Sequence, residues 1–367
     1  GGIYEEFLDR SADLPDSADY GFNGSPRQLI NPERLKTVFL QMLHEAHCEV
    51  LLYTFVCEPI MDSGRLSGVI IENKSGRQAI FAKIIIDSTG DGDIAAKAGA
   101  AYVKGRETDG AMQPASLMFK IGGVDYSRAV FPGKFEDYIQ IPKGEIQALG
   151  KSHLPFPAGH VLLYRSTLPG VVTCNMTNCT GIDGTNAADL SRAVLVCRNQ
   201  LQPILDFLHE FVPGYENCYL LETASLIGVR ETRHFKGLET ITEEDIRSSR
   251  VFPDWAVTHA SFNFDVHNMT GNGLDATGAQ DAFTATSYTI PYGCLVPEKI
   301  DGLLLAGRNI SGTHMAHANY RVMPICANMG QAAGIAAALC CKEDIQPRDV
   351  KVPELQKLLL QNGVLPV

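Results

Sequence analysis

Leu303-Leu-Leu-Ala-Gly-Arg-Asn-Ile-Ser311 is followed by Gly312-Thr-His-Met-Ala-His-Ala-Asn-Tyr-Arg-Val-Met-Pro324 and by a run of small residues from Ile325 to Cys341. Three leucines and an alanine read as a buried strand, Gly307 as its turn, and the polar stretch after it as a loop. The small-residue run reads as a helix, with Pro324 at its first position, where no amide hydrogen is needed. A strand, loop and helix in this order aim backbone N–H groups and the positive end of a helix dipole at whatever lies above the loop. The site expected there takes an electron-rich ring or an anion.

Composition limits what that site can belong to. With 367 residues the chain exceeds the usual size of one core, so two lobes are expected, and its 45% hydrophobic content is ample for both. A net charge of −11, from 31 basic and 42 acidic residues, argues against nucleic acid or an anionic membrane as partner and for a small-molecule substrate. No apolar run approaches the ~18 residues that a membrane span needs, and the first ten residues lack the basic-then-apolar pattern of an export signal. Ten cysteines without a Cys-x-x-Cys pair suggest reduced thiols, a cytoplasmic setting and no metal site. Cys174, Cys179, Cys340 and Cys341 read as structural thiols.

Toward the N-terminus, Asn31 and Pro32 open a helix carrying Leu35, Val38, Phe39 and Met42 at helical spacing. Cys48-Glu-Val-Leu-Leu-Tyr-Thr-Phe-Val56 reads as a strand. Gly68-Val-Ile-Ile71 and Gln78-Ala-Ile-Phe-Ala82 read as a hairpin around Asn73-Lys-Ser-Gly76. Next, Lys83-Ile-Ile-Ile86 runs into Asp87-Ser-Thr-Gly-Asp-Gly-Asp93 and a helix from Ile94, the strand, glycine turn and helix of a dinucleotide fold. The spacing is not G-x-G-x-x-G, and Asp91 and Asp93 put negative charge where a pyrophosphate would sit. The turn therefore reads as a second cofactor-facing turn, its glycines letting the backbone approach a ligand. The alternative is an ordinary tight turn with Asp93 capping the helix.

From Tyr102 to Tyr292 the texture changes. Ser116-Leu-Met-Phe-Lys-Ile121, His160-Val-Leu-Leu-Tyr164 and Gly170-Val-Val-Thr-Cys-Asn175, separated by Pro and Gly, suggest an antiparallel sheet. One helix is expected over Asn186 to Leu208, closed by Pro213-Gly214. Leu221 to Arg233 reads as an apolar strand with charge at one end. Arg230 and Arg233 then lie on opposite faces, and an arginine fork suits a substrate carboxylate or a cofactor phosphate. The alternative is an Arg–Glu ion pair with Glu231 at the lobe junction.

Four segments carry a resemblance: Ile84 to Asp93, Ile227-Gly-Val-Arg-Glu-Thr-Arg233, Pro291-Tyr-Gly-Cys-Leu-Val-Pro297 and Leu303 to Ser311. With His314 to Pro324 and Met329-Gly-Gln-Ala-Ala-Gly334, they resemble the bacterial FAD-dependent oxidoreductase family of the glutathione-reductase-like flavoprotein superfamily. The resemblance implies an α/β architecture: an FAD/NAD(P)-binding, Rossmann-like lobe built from both ends of the chain, with an inserted, mainly antiparallel α+β substrate lobe. The implied boundaries are residues 1–105 and 291–345 for the FAD-binding lobe, 106–290 for the substrate lobe and 346–367 for a tail. FAD is the implied cofactor. Thr89, Gly90, Asp91 and Gly92 would lie near the dinucleotide, Gly307 and Arg308 near its ribityl-pyrophosphate, and Met323 and Pro324 against the flavin pyrimidine. A helix start there would stabilise the negative charge that reduced flavin gathers. His314, His317 and Arg321 fall on the substrate side as candidate catalytic groups, and Arg230 and Arg233 as substrate-binding groups.

The implied reaction is hydride transfer from a small organic substrate to flavin, followed by reoxidation. The family also opens with a G-x-G-x-x-G unit for the ADP half of FAD, which these residues lack. The resemblance therefore implies a truncated or split member, with a separately encoded N-terminal FAD-binding segment as a partner. The alternative is a remnant that binds a small molecule or a partner without FAD or catalysis. A homo-oligomer is left open.

Overall fold

The computed structural model describes residues 1–12, 30–135, 137–275 and 286–367, and helices and strands mix along them. The chain opens with α1 (Gly2–Ser11) and α2 (Pro32–Glu45). Asn31 caps α2 as expected, its side-chain oxygen accepting the N–H groups of Glu33 and Arg34. Phe7, Leu35 and Val38 are buried together between the two helices. The strand expected from Cys48 forms only at its end. Residues 48 to 54 are irregular, and Tyr53 takes a φ of 56°, which an extended strand cannot accommodate. β1 (Phe55–Asp62), β2 (Arg65–Asn73) and β3 (Gly76–Phe81) form an antiparallel sheet, and β2 and β3 are the expected hairpin.

β4 (Ile85–Asp87), α3 (Asp93–Lys97) and β5 (Tyr102–Lys104) come next. They lead to β6 (Phe119–Gly122), the short β7 (Gln140–Ile141) and β8 (Gly144–Glu145), and α4 (Ile146–His153). β9 (Leu163–Arg165), β10 (Val172–Cys174), α5 (Ala187–Asn199), α6 (Leu201–Phe211) and β11 (Tyr219–Thr223) follow. β11, β6, β10 and β9 lie side by side, all antiparallel, as the Pro- and Gly-punctuated runs predict. The single helix expected over 186–208 is two. Gln200 divides them because its buried amide is tied to the backbone of Asn178 through both its oxygen and its nitrogen.

β12 (Arg233–Phe235) pairs with β5. The charged stretch before it is therefore not strand: Arg230 and Glu231 lie in an irregular connection between β11 and β12. The rest of the chain forms α7 (Glu243–Arg247), β13 (Trp255–Ala260), β14 (Tyr288–Pro291), β15 (Leu303–Leu305), α8 (His314–Tyr320), α9 (Met323–Glu343) and α10 (Val352–Gln361). β15 pairs in parallel with β4, Leu303 opposite Ile85, and so joins distant parts of the chain.

Two main cores result. One gathers Leu66, Ile94, Val257, Ile290, Leu303, Leu304, Leu305, Met329 and Leu359, so α7, β13, β14 and the C-terminal α10 pack with the β4–β15 pair. The other lies between the four-stranded sheet and α6, around Phe119, Ile121, Val172, Ile204 and Leu208. By length and composition α9 is apolar enough to cross a membrane. Here its Ala332, Ala333 and Ala336 are buried in the first core, and the helix packs on α1, α10 and β13.

Candidate functional site

The turn after β4 is organised by Asp87. Its buried carboxylate accepts the N–H (3.0 Å) and hydroxyl (2.7 Å) of Thr89 and the amides of Ile94 (3.1 Å) and Ala95 (2.9 Å). Asp87 therefore caps α3, whereas Asp93 is the first residue of that helix and pairs with Arg233 at 2.9 Å. Asp91 is held by Arg308 (2.8 Å) and by the hydroxyl of Thr232 (2.7 Å). Both acidic groups that would oppose a pyrophosphate thus carry a guanidinium partner. The glycines pack against protein: a Cβ on Gly90 would collide with the Arg308 guanidinium, and one on Gly92 with the Phe235 ring. Gly90 to Ala95 has the G-x-G-x-x-A form that a search for three glycines passes over. The amides of Ile94 and Ala95, which would meet a phosphate, are occupied by Asp87.

The loop expected after Ser311 contains α8, capped by the Thr313 hydroxyl, which accepts the N–H of Ala316. This short helix buries His314, His317, Asn319 and Tyr320. Two imidazoles donate to one oxygen of the buried Glu231: His314 through Nδ1 at 2.6 Å and His234 through Nε2 at 2.7 Å. The Gln113 N–H reaches the other oxygen at 3.0 Å. Burial pushes the Glu231 carboxyl up, but the bonds from His234 and His314 outweigh it and hold the group well below the usual carboxylate range. An ionised carboxylate only accepts, so both imidazoles present N–H to it, and the lone pair of His314 is left on Nε2. His317 meets His234 (4.7 Å) and Tyr320 (5.6 Å) edge to face. Burial, reinforced by His234, pushes its pKa well down, so its ring stays neutral.

Arg230 leaves the same stretch in another direction and donates to the Pro114 carbonyl at 2.6 Å. Close by in charge terms is Asp265, which accepts from Arg321 at 2.8 Å and lies 3.4 Å from His267 Nε2. Gln113 connects the two groups, since its side-chain oxygen accepts the backbone N–H of His267 at 3.1 Å. Burial, with Arg230 nearby, pulls His267 down to about 4. Burial, with His267 nearby, pulls His160 down to about 3. Phe135 sits edge-on to both rings, 5.0 Å from His160 and 5.2 Å from His267. A cavity of about 400 Å³ opens there, lined by Phe135, Gln147, Lys151, His160 and Asn272 among others.

The candidate residues therefore fall into three places. Thr89 to Gly92, Arg308 and Arg233 meet at the turn after β4; His314 and His317 surround Glu231 and His234; Arg230 joins Arg321. Arg230 and Arg233, both candidate substrate-binding groups, lie in different places. Glu231 was legible only as an ion-pair partner, and no local spacing points to His234, Gln113, Asp265 or His267. Cys174 and Cys179 are buried, which pushes both thiols up and leaves them poor nucleophiles.

No side chain caps α9 at Val322, and no acid lies in its first turn. Met323 at its start is 53% exposed, and Pro324 has no N–H to offer. Gly307 takes a φ of 101° with open space where a Cβ would stand, as do Gly330 and Gly334 on α9 without the unusual φ. A helix start free of acid fits an electron-rich ring.

The model of the family described as FAD dependent oxidoreductase matches residues 1–359. No curated protein matches the chain. Among solved structures, a geranylgeranyl bacteriochlorophyll reductase-like protein from Thermoplasma acidophilum is 12% identical over 90% of this chain and 60% of its own, with a TM-score of 0.45. An L-proline dehydrogenase from P. horikoshii is 13% identical over 92% of this chain and 62% of its own, with a TM-score of 0.33. The myxobacterial chondrochloren halogenase CndH is 13% identical over 91% of this chain and 56% of its own, with a TM-score of 0.38. The chain thus spans less than two thirds of the length of these proteins.

Proposed function

This chain belongs to the FAD dependent oxidoreductase family, so FAD is its cofactor, and we propose that it oxidises a small organic substrate by hydride transfer. The observation that carries the reading is the start of α9, uncapped and free of acid, directly after the helix that buries His314 and His317. Met323 and the amides after Pro324 would face the pyrimidine edge of the flavin. Gly307, Arg308 and the turn from Thr89 to Gly92 would line the dinucleotide. Bound FAD supplies a two-electron acceptor.

The chain's own residues then orient the substrate and take its proton. His314 is the proton acceptor: Glu231 fixes its Nδ1–H, leaves Nε2 basic, and stabilises the imidazolium formed when a substrate O–H or N–H gives up its proton. His317, held neutral by burial, packs against the His234 ring and keeps this arrangement in place. Arg321, anchored on Asp265, and Arg230 position the substrate.

The test is flavin retention. Purified protein incubated with FAD and desalted should keep the visible flavin absorbance, and protein that emerges colourless refutes the reading for this chain. Met323→Glu places a carboxylate at the helix start on an exposed side chain, and should weaken FAD binding about tenfold without unfolding the protein.

A further inference from the structure

We propose that Arg230, together with Arg321, binds a carboxylate of the substrate, so that the substrate class is a small organic acid. The proposal rests on the oxidoreductase reading and gives its substrate a chemical class. It begins from charge pairing. Arg308 is paired with Asp91, Arg233 with Asp93, and Arg321 with Asp265. Arg230 has no carboxylate partner among the described residues, only the Pro114 carbonyl. The neighbouring Glu231 faces away from it, toward His234 and His314. Asp265 is already shared by Arg321 and His267. His267 and His160 carry no charge at neutral pH, so they add no acid and no base to the balance.

Among the described residues, one guanidinium charge is therefore in excess where residues 113–114, 230, 265–267 and 321 meet. Hydrogen-bond donors are in excess as well. The Gln113 side-chain nitrogen and Arg321 Nε are buried with no acceptor among the described residues. A buried donor left unmatched is costly, and so is a guanidinium withdrawn from water without an anion. What is missing is an acceptor with two oxygens and one negative charge. A carboxylate meets both needs, because its planar oxygens match the arginine fork. A phosphate dianion would overshoot an excess of one charge. A cavity of about 400 Å³, a volume suited to a small ligand, lies next to this cluster, since its lining residue Phe135 stands edge-on to His267 at 5.2 Å.

Binding is measured by calorimetric titration of the FAD-loaded protein with acetate, pyruvate and benzoate, with acetamide and benzamide as uncharged counterparts and inorganic phosphate as the competing anion. The carboxylates should bind, the amides should not, and phosphate should be weaker. Arg230→Gln should weaken carboxylate binding about 30-fold or more, and Arg230→Lys should recover part of the loss. Thermal unfolding checks that each variant is folded; if Arg230→Gln is not, Arg230→Lys alone decides, with a loss of about tenfold expected. Absence of carboxylate binding, an unchanged affinity in the decisive variant, or tighter binding of phosphate overturns the proposal. The same titration on flavin-free protein separates the two readings: a colourless protein that still binds carboxylates through Arg230 refutes flavin retention and keeps the anion site.

Discussion

Glu231→Gln is the sharpest test of the buried imidazole cluster. Glu231 is fully buried and accepts three N–H groups, from His314, His234 and Gln113. Glutamine preserves the shape but replaces one oxygen by an NH2 group, which must then face a donor: an imidazole N–H or the Gln113 amide. At least one charge-assisted bond is lost, worth about 1.5–3 kcal/mol, and a buried donor is left unmatched at about 1–3 kcal/mol. A shift of one imidazole to its other tautomer offsets part of this, so the expected loss at pH 7 is about 3 kcal/mol. The sign of the pH dependence follows from the depressed carboxyl. Its stabilisation is fully present above the unfolded pKa of about 4.3 and declines below it, by about 1.4 kcal/mol per pH unit, as the unfolded chain takes up a proton that the folded carboxylate refuses. The deficit of the variant should therefore shrink between pH 5 and more acid solution. Trp255, the single tryptophan, lies on β13 partly buried against the first core and reports urea unfolding by fluorescence. A deficit below about 1 kcal/mol at pH 7, or one that stays constant on acidification, would show that Glu231 is not an ionised acceptor.

Two further predictions concern the surroundings of the site. Gly92→Ala combines a φ of 63° with a collision against the buried Phe235 ring, and should cost roughly 3 kcal/mol. Gly76→Ala, at a φ of 94° with open space around it, should cost only about 1 kcal/mol in the same denaturation assay, and equal losses would refute the packing argument. Glu239 is half-buried near Asp254, and burial followed by that like charge raises its pKa to about 7. The folded state therefore holds a proton that the unfolded chain has released, and stability falls as pH rises from about 4.5 to about 7. Glu239→Gln should leave stability unchanged at pH 4 and raise it by roughly 1 kcal/mol at pH 8, after allowing for solvent screening; an equal effect at both values counts against the carboxyl pair.

What the sequence disclosed was local. The Asn31 cap, the hairpin around Asn73 to Gly76, the buried Leu303 to Leu305 strand and the antiparallel runs of the middle region all follow from spacings of a few residues. The departures are local as well: the seven residues of α8 give too little periodicity to separate a helix from a loop, and glutamine at 200 is an ordinary helix residue whose buried tie to Asn178 no spacing shows. Glu231, His234 and His314 could not be assembled in this way. The contacts of Glu231 with Gln113 and His314 cross more than 80 residues of chain, and although His234 is only three residues from Glu231, glutamate and histidine have no spacing that marks a buried cluster. The arginines show the same limit. Only the contacts reveal that Arg233 is spent on Asp93 and that Arg230 is not paired with its neighbour Glu231.

That division of labour follows from backbone geometry at one place. The connection between β11 and β12 is irregular, so its side chains are not bound to alternate between two faces of a sheet. Arg230, Glu231 and Thr232, with Arg233 at the start of β12, instead reach five different partners: the Pro114 carbonyl, two imidazoles, Asp91 and Asp93. A strand would place Arg230 and Thr232 on one face and Glu231 and Arg233 on the other, which would set Arg233 beside Glu231 and away from the turn after β4. The irregular backbone permits a carboxylate to serve His314 and an arginine to remain without a carboxylate partner among the described residues, immediately before the strand residue Arg233 that pairs with Asp93. Among the described residues, the guanidinium without a carboxylate partner, in a chain of net charge −11, is then a property of this one connection.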